Sequence, residues 1–178
     1  MGFNYNILSR RLDTDIPSFL SLKGIKKYLR VDSEKDDDLL SKIAIAACER
    51  AESFIKIDIL ERVIKQVVYD FVGSKLKLHK KPVVKVHRIL DDSGNSISSD
   101  TWHFDDERGI VIFDNELNLP SITVEYGSGF TQNNVSQAIK YGLLDHIAHI
   151  YDGKATVKEF PASSVDLYLS FRKHRIWR

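Results

Sequence analysis

Apolar residues recur along this chain with two different periods, and the changes of period mark out its elements. The first 18 or so residues mix Asn, Ser, Arg and Asp with Pro17 near the end, so they read as an extended N-terminal arm rather than a packed element. After Ser21, a good helix cap, Leu22, Ile25 and Leu29 fall on one helical face and predict a short helix. Ser33 and Asp36 then fit a capping-box pattern, and Asp36, Asp37 and Asp38 crowd a first turn whose dipole favours negative charge. Leu40, Ile43, Ala44, Ala47, Ala51, Phe54 and Ile55 follow at intervals of three and four, the spacing of a long amphipathic helix. Its small residues, Ala44, Ala47 and Ala51, leave room for another helix to pack close.

From Arg62 the period drops to two. Val63, Val67, Tyr69 and Phe71 alternate as the inward positions of a half-buried strand would. Further short strands are expected at Val83–Leu90, Trp102–Phe104, Ile110–Phe113 and Ile122–Tyr126. Asp92-Ser93-Gly94-Asn95 supplies turn chemistry between the first two of these, with Gly94 free to take positive φ. Helical spacing returns at Val135 and runs through Ala138, Ile139, Gly142, Leu143, Ile147 and Ile150 to a stop at Asp152-Gly153. A last amphipathic stretch after Pro161 presents Val165, Leu169 and Phe171.

These elements predict an α+β chain: an antiparallel helical bundle frame with an inserted small antiparallel β subdomain. The frame comprises helices at about 21–57 and 135–172, the insertion spans about 62–127, and the arm covers 1–18 of a domain that runs over 19–178.

Composition narrows the function classes. Lys and Arg number 26 against 25 acidic residues, a net charge of +1, whereas a protein that grips nucleic acid over its whole surface carries a clear basic excess. The single cysteine, Cys48, cannot form an intramolecular disulfide, so folding needs no oxidising compartment. No apolar run approaches the roughly 18 residues that span a bilayer, and the first residues lack the apolar core of a signal peptide. A soluble, intracellular protein is expected.

Few motifs carry chemistry. His146 and His149 stand three apart on a helix beside Asp145 and Asp152 and could share a metal, but the His-Glu-x-x-His phrase of metallohydrolases is absent, so structural histidines are expected. Cys48 lies on or beside the alanine face of the long helix and reads as a small core residue. Tyr126-Gly127-Ser128-Gly129-Phe130 lacks the Lys-Ser/Thr ending of a phosphate loop and reads as a strand-to-helix turn. Asp105, Asp106 and Glu107 lack calcium-loop spacing and read as a solvated turn. No catalytic residue, metal ligand or cofactor site is assigned. The one candidate binding segment is the tail, where Arg172, Lys173, Arg175 and Arg178 flank Ile176 and Trp177, a pairing of charge with apolar anchors that suits a protein contact.

Several phrases, taken in order, carry a resemblance. Leu29-Arg30-Val31-Asp32 closes the first helix, the acidic Asp36-Asp37-Asp38 and the Ala-rich helix Ala44–Glu52 follow, then Pro82-Val83-Val84 and Asp91-Asp92-Ser93-Gly94-Asn95. Later come Tyr126-Gly127-Ser128-Gly129-Phe130, Ser136-Gln137-Ala138-Ile139-Lys140 and Ala148-His149-Ile150-Tyr151. The sequence from about 20 to 172 resembles the head–tail connector (adaptor) proteins of phages, prophages and gene transfer agents, with Ser136 where that family usually has Pro and Ile150 where it usually has Trp. The resemblance implies a structural virion protein of the neck, made in the bacterial cytoplasm. Copies would form a ring, commonly a dodecamer, between the portal protein and the next, stopper-like neck or tail component, with DNA passing through it unread. Arg172, Lys173, Arg175, Ile176, Trp177 and Arg178 are then the expected portal-binding segment. Two other classes stay open from the residues alone: a metal-dependent enzyme using His146 and His149, and a small nucleic-acid-binding module using the tail.

Overall fold

A computed structural model describes residues 4–11, 16–153 and 156–171. In chain order they form β1 (Tyr5–Arg11), α1 (Leu22–Leu29), α2 (Asp37–Ile55), β2 (Arg62–Lys77), β3 (Val83–Leu90), β4 (Trp102–Asp105), β5 (Ile110–Ser128), α3 (Gln137–Tyr151) and α4 (Ala162–Leu169), with short 3₁₀ turns between some of them. The chain divides into two compact units: a sheet unit of 1–12 and 61–129, and a helical unit of 13–60 and 130–178.

In the helical unit the local signals act much as the sequence predicts. The Ser21 hydroxyl accepts a hydrogen bond from Gly24 N (3.2 Å) at the start of α1, and the Ser136 hydroxyl accepts one from Ile139 N (3.2 Å) at the start of α3. The expected capping box does not form. Ser33 opens a 3₁₀ turn instead, and the Asp36 carboxylate accepts a hydrogen bond from the Tyr151 hydroxyl (2.8 Å). On α2, Leu40, Ile43, Ala44, Ala47, Cys48, Ala51 and Ile55 are buried, as their spacing requires. On α4 the buried face differs from the expected one. Ser164 and Tyr168 point inward while Leu169 is exposed. The cause lies on α3, where Gly142 has no side chain and the Tyr168 ring takes its place; a Cβ at 142 would lie 2.7 Å from Tyr168 Cε1. The Ser164 hydroxyl fixes the same phase through the Gly142 carbonyl (3.1 Å) and the Asp145 carboxylate (2.7 Å).

The sheet unit departs further from expectation. Its strands run antiparallel in the order β1-β2-β5-β3, with β4 added to the first half of β5. Val111 and Phe113 from one half of β5 share a core with Ile122, Val124 and Tyr126 from the other, so the strand bends and the sheet curls around its own apolar interior. The bend falls at a bulge, where pairing to β2 slips between Gly73 and Lys75 and Asp114, Asn115 and Glu116 stand exposed.

The expected helical bundle frame with a small inserted β subdomain is therefore corrected. Four helices and a five-stranded sheet hold about equal numbers of residues, and the fold is α+β without a dominant helical frame. Two features hid this. β1 is an edge strand with hardly any burial, so its pattern carries no period. β2 and β5 are 16 and 19 residues long, but polar exposed stretches interrupt their alternation. The predicted face of β2 is also reversed over its first half. Ile64, Gln66 and Val68 are buried, whereas Val63, Val67 and Tyr69 look outward. Positive φ at Asp70 (52°) then resets the phase, so that Phe71 is buried after all. Apolar residues on both faces left the alternation ambiguous. Gln66 can be buried because its amide is satisfied: it donates to the Lys77 carbonyl (2.8 Å) and accepts from His79 N (3.1 Å) and the Tyr126 hydroxyl (3.3 Å).

Candidate functional site

The reversed face of β2 creates the most distinctive surface of the sheet unit. Register places its outward residues in rows across four strands. One row holds Arg10, Val63, Gly127 and Lys85; the next holds Leu8, Lys65, Glu125 and Arg88; the third holds Asn6, Val67, Thr123 and Leu90. The opposite face is the buried one, as expected of an antiparallel sheet with one dry and one wet side. Four cations (Arg10, Lys65, Lys85 and Arg88) thus face solvent around one carboxylate. Arg88 Nε donates to Glu125 (2.7 Å), and that bond, with the charges of Arg88, Lys65 and His87, holds the Glu125 carboxyl below its usual range against the opposing effect of partial burial. Leu8, 61% exposed and paired with Lys65, places a large apolar group among the cations, and Tyr69, 44% exposed, stands farther along β2 beyond Val67. Charge next to exposed aromatic and aliphatic side chains is the composition of a protein contact.

Sequence reasoning missed this surface. Lys65, Lys85 and Arg88 were visible as strand cations, but only pairing across β1, β2, β5 and β3 brings them together. A second exposed pair, Tyr28 on α1 and Tyr141 on α3, lies in the helical unit. Burial first, then the charges of Asp145 and Tyr141, raise the Tyr28 hydroxyl above its usual value.

The histidines do not converge. His146 is fully buried, with Nε2 3.1 Å from the Glu159 carbonyl oxygen, a contact it makes as donor. Its ring packs 4.8 Å from that of Phe160, and burial pushes its pKa below the usual histidine value. His149 Nδ1 turns instead to the carbonyl of Asp145 (2.9 Å). Among the described residues no group of three or more His, Cys, Asp or Glu side chains is placed to hold a metal ion. Cys48 is buried in the helical core. The glycine phrase ends β5 with its amides engaged: Gly129 N donates to the Pro82 carbonyl (3.0 Å) and Phe130 N to that of Ile59 (3.0 Å), which leaves neither for a phosphate. Asp105 closes the β4–β5 turn by accepting from Arg108 N (3.0 Å), while Asp106 and Glu107 are exposed. The tail candidates, Arg172, Lys173, Arg175, Ile176, Trp177 and Arg178, lie outside the described residues. No described helix is long and apolar enough to cross a membrane.

No family model matches the sequence, and no curated protein matches it. Solved structures do share its fold. A chain from the virion of a native gene transfer agent particle matches with a TM-score of 0.72 at 15% identity, covering 96% of this chain and 97% of that one. A chain from the neck of an empty gene-transfer-agent particle, computed with C6 symmetry, matches at 0.71 and 16% identity with the same coverage. A chain from the neck of a native particle, computed with C12 symmetry, matches at 0.68 and 15% identity. The resemblance read from the sequence is thus borne out at the level of the fold.

Proposed function

We propose that this chain is a structural protein of a virion neck, forming a ring between the portal protein and the next, stopper-like neck or tail component. DNA passes through that ring without being read, no membrane is involved, and the subunit is made in the bacterial cytoplasm before it joins the particle. The observation that carries this reading is a fold shared end to end, over 96% of this chain, with chains from the necks of gene-transfer-agent particles. Symmetries of C6 and C12 for those necks favour a ring, and a dodecamer in particular. A ring needs contacts between two different surfaces of one chain, and the exposed basic and apolar sheet face offers one of them. Within this reading the segment 172–178 docks on the portal, its cations steering the encounter and Trp177 filling a pocket. The role assigns no chemistry to His146, His149 or any other residue.

Deletion of the gene from a strain that produces the particle tests the proposal. Electron microscopy is expected to show DNA-filled heads without tails, with tailed particles restored by the wild-type gene in trans. Normal tailed particles from the deletion strain would overturn it.

A further inference from the structure

An open sheet ends in edge strands, and each edge carries a row of backbone N–H and C=O groups that no neighbouring strand takes up. Among the described residues three strands stand at such edges: β1, β3 and β4. Two of them are poor templates for a further strand. On β3 the register slips twice in eight residues, between Val83 and Lys85 and between Val86 and Arg88, and such bulges twist an edge away from regular pairing. β4 is only four residues long. β1 has neither defence. Its seven residues pair with β2 in an unbroken register from Tyr5↔Val68 to Arg11↔Arg62, with no bulge and no proline. The ring of Tyr5 also stacks on that of His79 (4.0 Å between centroids), which fixes the start of the strand by more than the ladder.

The phase of the ladder sets which groups of β1 face outward. Tyr69 N donates to the Asn4 carbonyl (2.9 Å), one step before Tyr5↔Val68, so Asn4 and Tyr69 form a hydrogen-bonded pair. Bonded and non-bonded pairs alternate in an antiparallel ladder. Asn6, Leu8 and Arg10 therefore bond to β2, and Tyr5, Ile7 and Ser9 turn their N–H and C=O groups away from it. Side chains alternate as well: Leu8 and Arg10 share the outer face with Lys65 and Val63, while Ile7 packs against the core of the sheet.

Charge selects the strand that fits. β1 and the residues of β2 that pair with it hold Arg10, Arg11, Arg62 and Lys65 and no carboxylate. The acid in the Lys65 row, Glu125 on β5, is already bonded to Arg88 (2.7 Å). A second copy meeting this edge with its own β1 would bring the same cations against it. A strand with carboxylates on its outer side and apolar residues near Leu8 and Ile7 would instead be drawn in.

We infer that the free edge of β1 is a strand-addition site that takes an extended acidic segment of another protein. Backbone bonds to Tyr5, Ile7 and Ser9 supply affinity, and the side chains opposite Arg10, Leu8 and Ile7 supply selectivity. Carboxylates of the segment lie beside Arg10 on the outer face, and its apolar side chains extend the core at Ile7.

The test uses the purified full-length chain and labelled peptides, matched to the seven residues of β1, that alternate Val with Glu or Val with Lys. By fluorescence anisotropy the Glu peptide should bind, and raising salt from about 50 to about 200 mM should weaken it several-fold. Ser9→Pro removes an outward N–H and sets a ring on the edge. It should weaken binding at least about 10-fold with little change in melting temperature, whereas Ser9→Ala should bind within about 2-fold of wild type. Leu8→Pro removes a bond to β2 and should lower the melting temperature instead. Amide exchange of the wild-type chain gives a readout that needs no variant: the Glu peptide should slow exchange at Tyr5, Ile7 and Ser9 more than at Asn6 and Leu8. Absence of binding by the Glu peptide, equal binding by Ser9→Pro, or equal binding of the Lys peptide would overturn the inference. So would concentration-dependent dimerisation of the wild type that Ser9→Pro abolishes, which would give the edge to a second copy. Each of these outcomes leaves the neck reading intact, since the gene deletion tests that separately.

Discussion

Where helices meet in the helical unit, small residues are buried among the large ones: Ala44, Ala47, Cys48 and Ala51 on α2 and Gly142 on α3. In the sheet unit the interior is filled by large groups, with Phe71 and Phe113 edge to face at 5.9 Å and Tyr126 fully buried. Helices approach closely only if side chains between them are short, and Gly142 goes furthest by admitting the Tyr168 ring. A curled sheet encloses a space that only long side chains can fill. The two units should therefore fail in opposite ways: one by having atoms added, the other by having them removed.

The largest expected effect is in the sheet unit. Phe71→Ala should cost about 3–5 kcal/mol, the usual loss for truncating a buried aromatic. Chemical denaturation followed by Trp102 fluorescence reports on that core, with Trp177→Phe as background to silence the tail. A loss below about 1 kcal/mol would mean that the sheet tolerates a void, and the contrast would fail. In the helical unit, Gly142→Ala sharpens the comparison through its sign. Helix propensity alone would stabilise the variant by up to about 1 kcal/mol. The contact with Tyr168 should outweigh that gain and leave a net loss of about 1–2 kcal/mol by thermal melting. A rise in melting temperature would show that Tyr168 moves freely.

Acid should weaken the helical unit before the sheet unit. The pKa of His146 is lowered chiefly by burial, so its contribution is complete above the unfolded value near 6.5 and is lost as pH falls from there toward the depressed folded value. His79 in the sheet unit is also lowered, by burial and then by the charge of Lys77, but it is less enclosed. Amide exchange compared at about pH 7 and about pH 5 should show earlier loss of protection in α3 than in β2. His146→Gln should flatten that difference; an unchanged pH response would reject His146 as its source. The smallest effect belongs to Tyr168→Phe. The Tyr168 hydroxyl is buried without a hydrogen-bond partner in this structure, so its removal should change stability by less than about 1 kcal/mol, toward gain. A clear loss by the same melting assay would reveal a partner for it.

The legible parts of this fold are those governed by neighbours in sequence. The buried face of α2, the caps at Ser21 and Ser136 and the α3 face through Ile139, Leu143 and Ile147 depend on residues three or four apart. The order of connector-like phrases also survived, since the fold they resemble is the one observed. Local period failed where burial is decided at a distance. In β2, Val63, Val67 and Tyr69 looked like core positions, and Gln66 was buried instead because Lys77, His79 and Tyr126 satisfy its amide. In α4, Leu169 gave way to Tyr168 because of a missing side chain on α3. The candidate surface was illegible for the same reason: Arg10, Lys65, Lys85 and Arg88 become neighbours only through strand register.

By itself the sequence determined where α1 and α3 start, the main buried face of α2 and α3, where the chain changes from one period to the other, and the balance of charge. Those properties follow from backbone capping and from side-chain spacing within one element, both local. Tertiary structure alone decided that residues 5–11 would become the edge of the sheet, that β5 would bend at residues 114–116, and that Arg10, Lys65, Lys85 and Arg88 would share one face. Each of those outcomes depends on hydrogen bonds between strands far apart in the chain, and a shift of one residue in that pairing would turn every side chain of the strand to the other face.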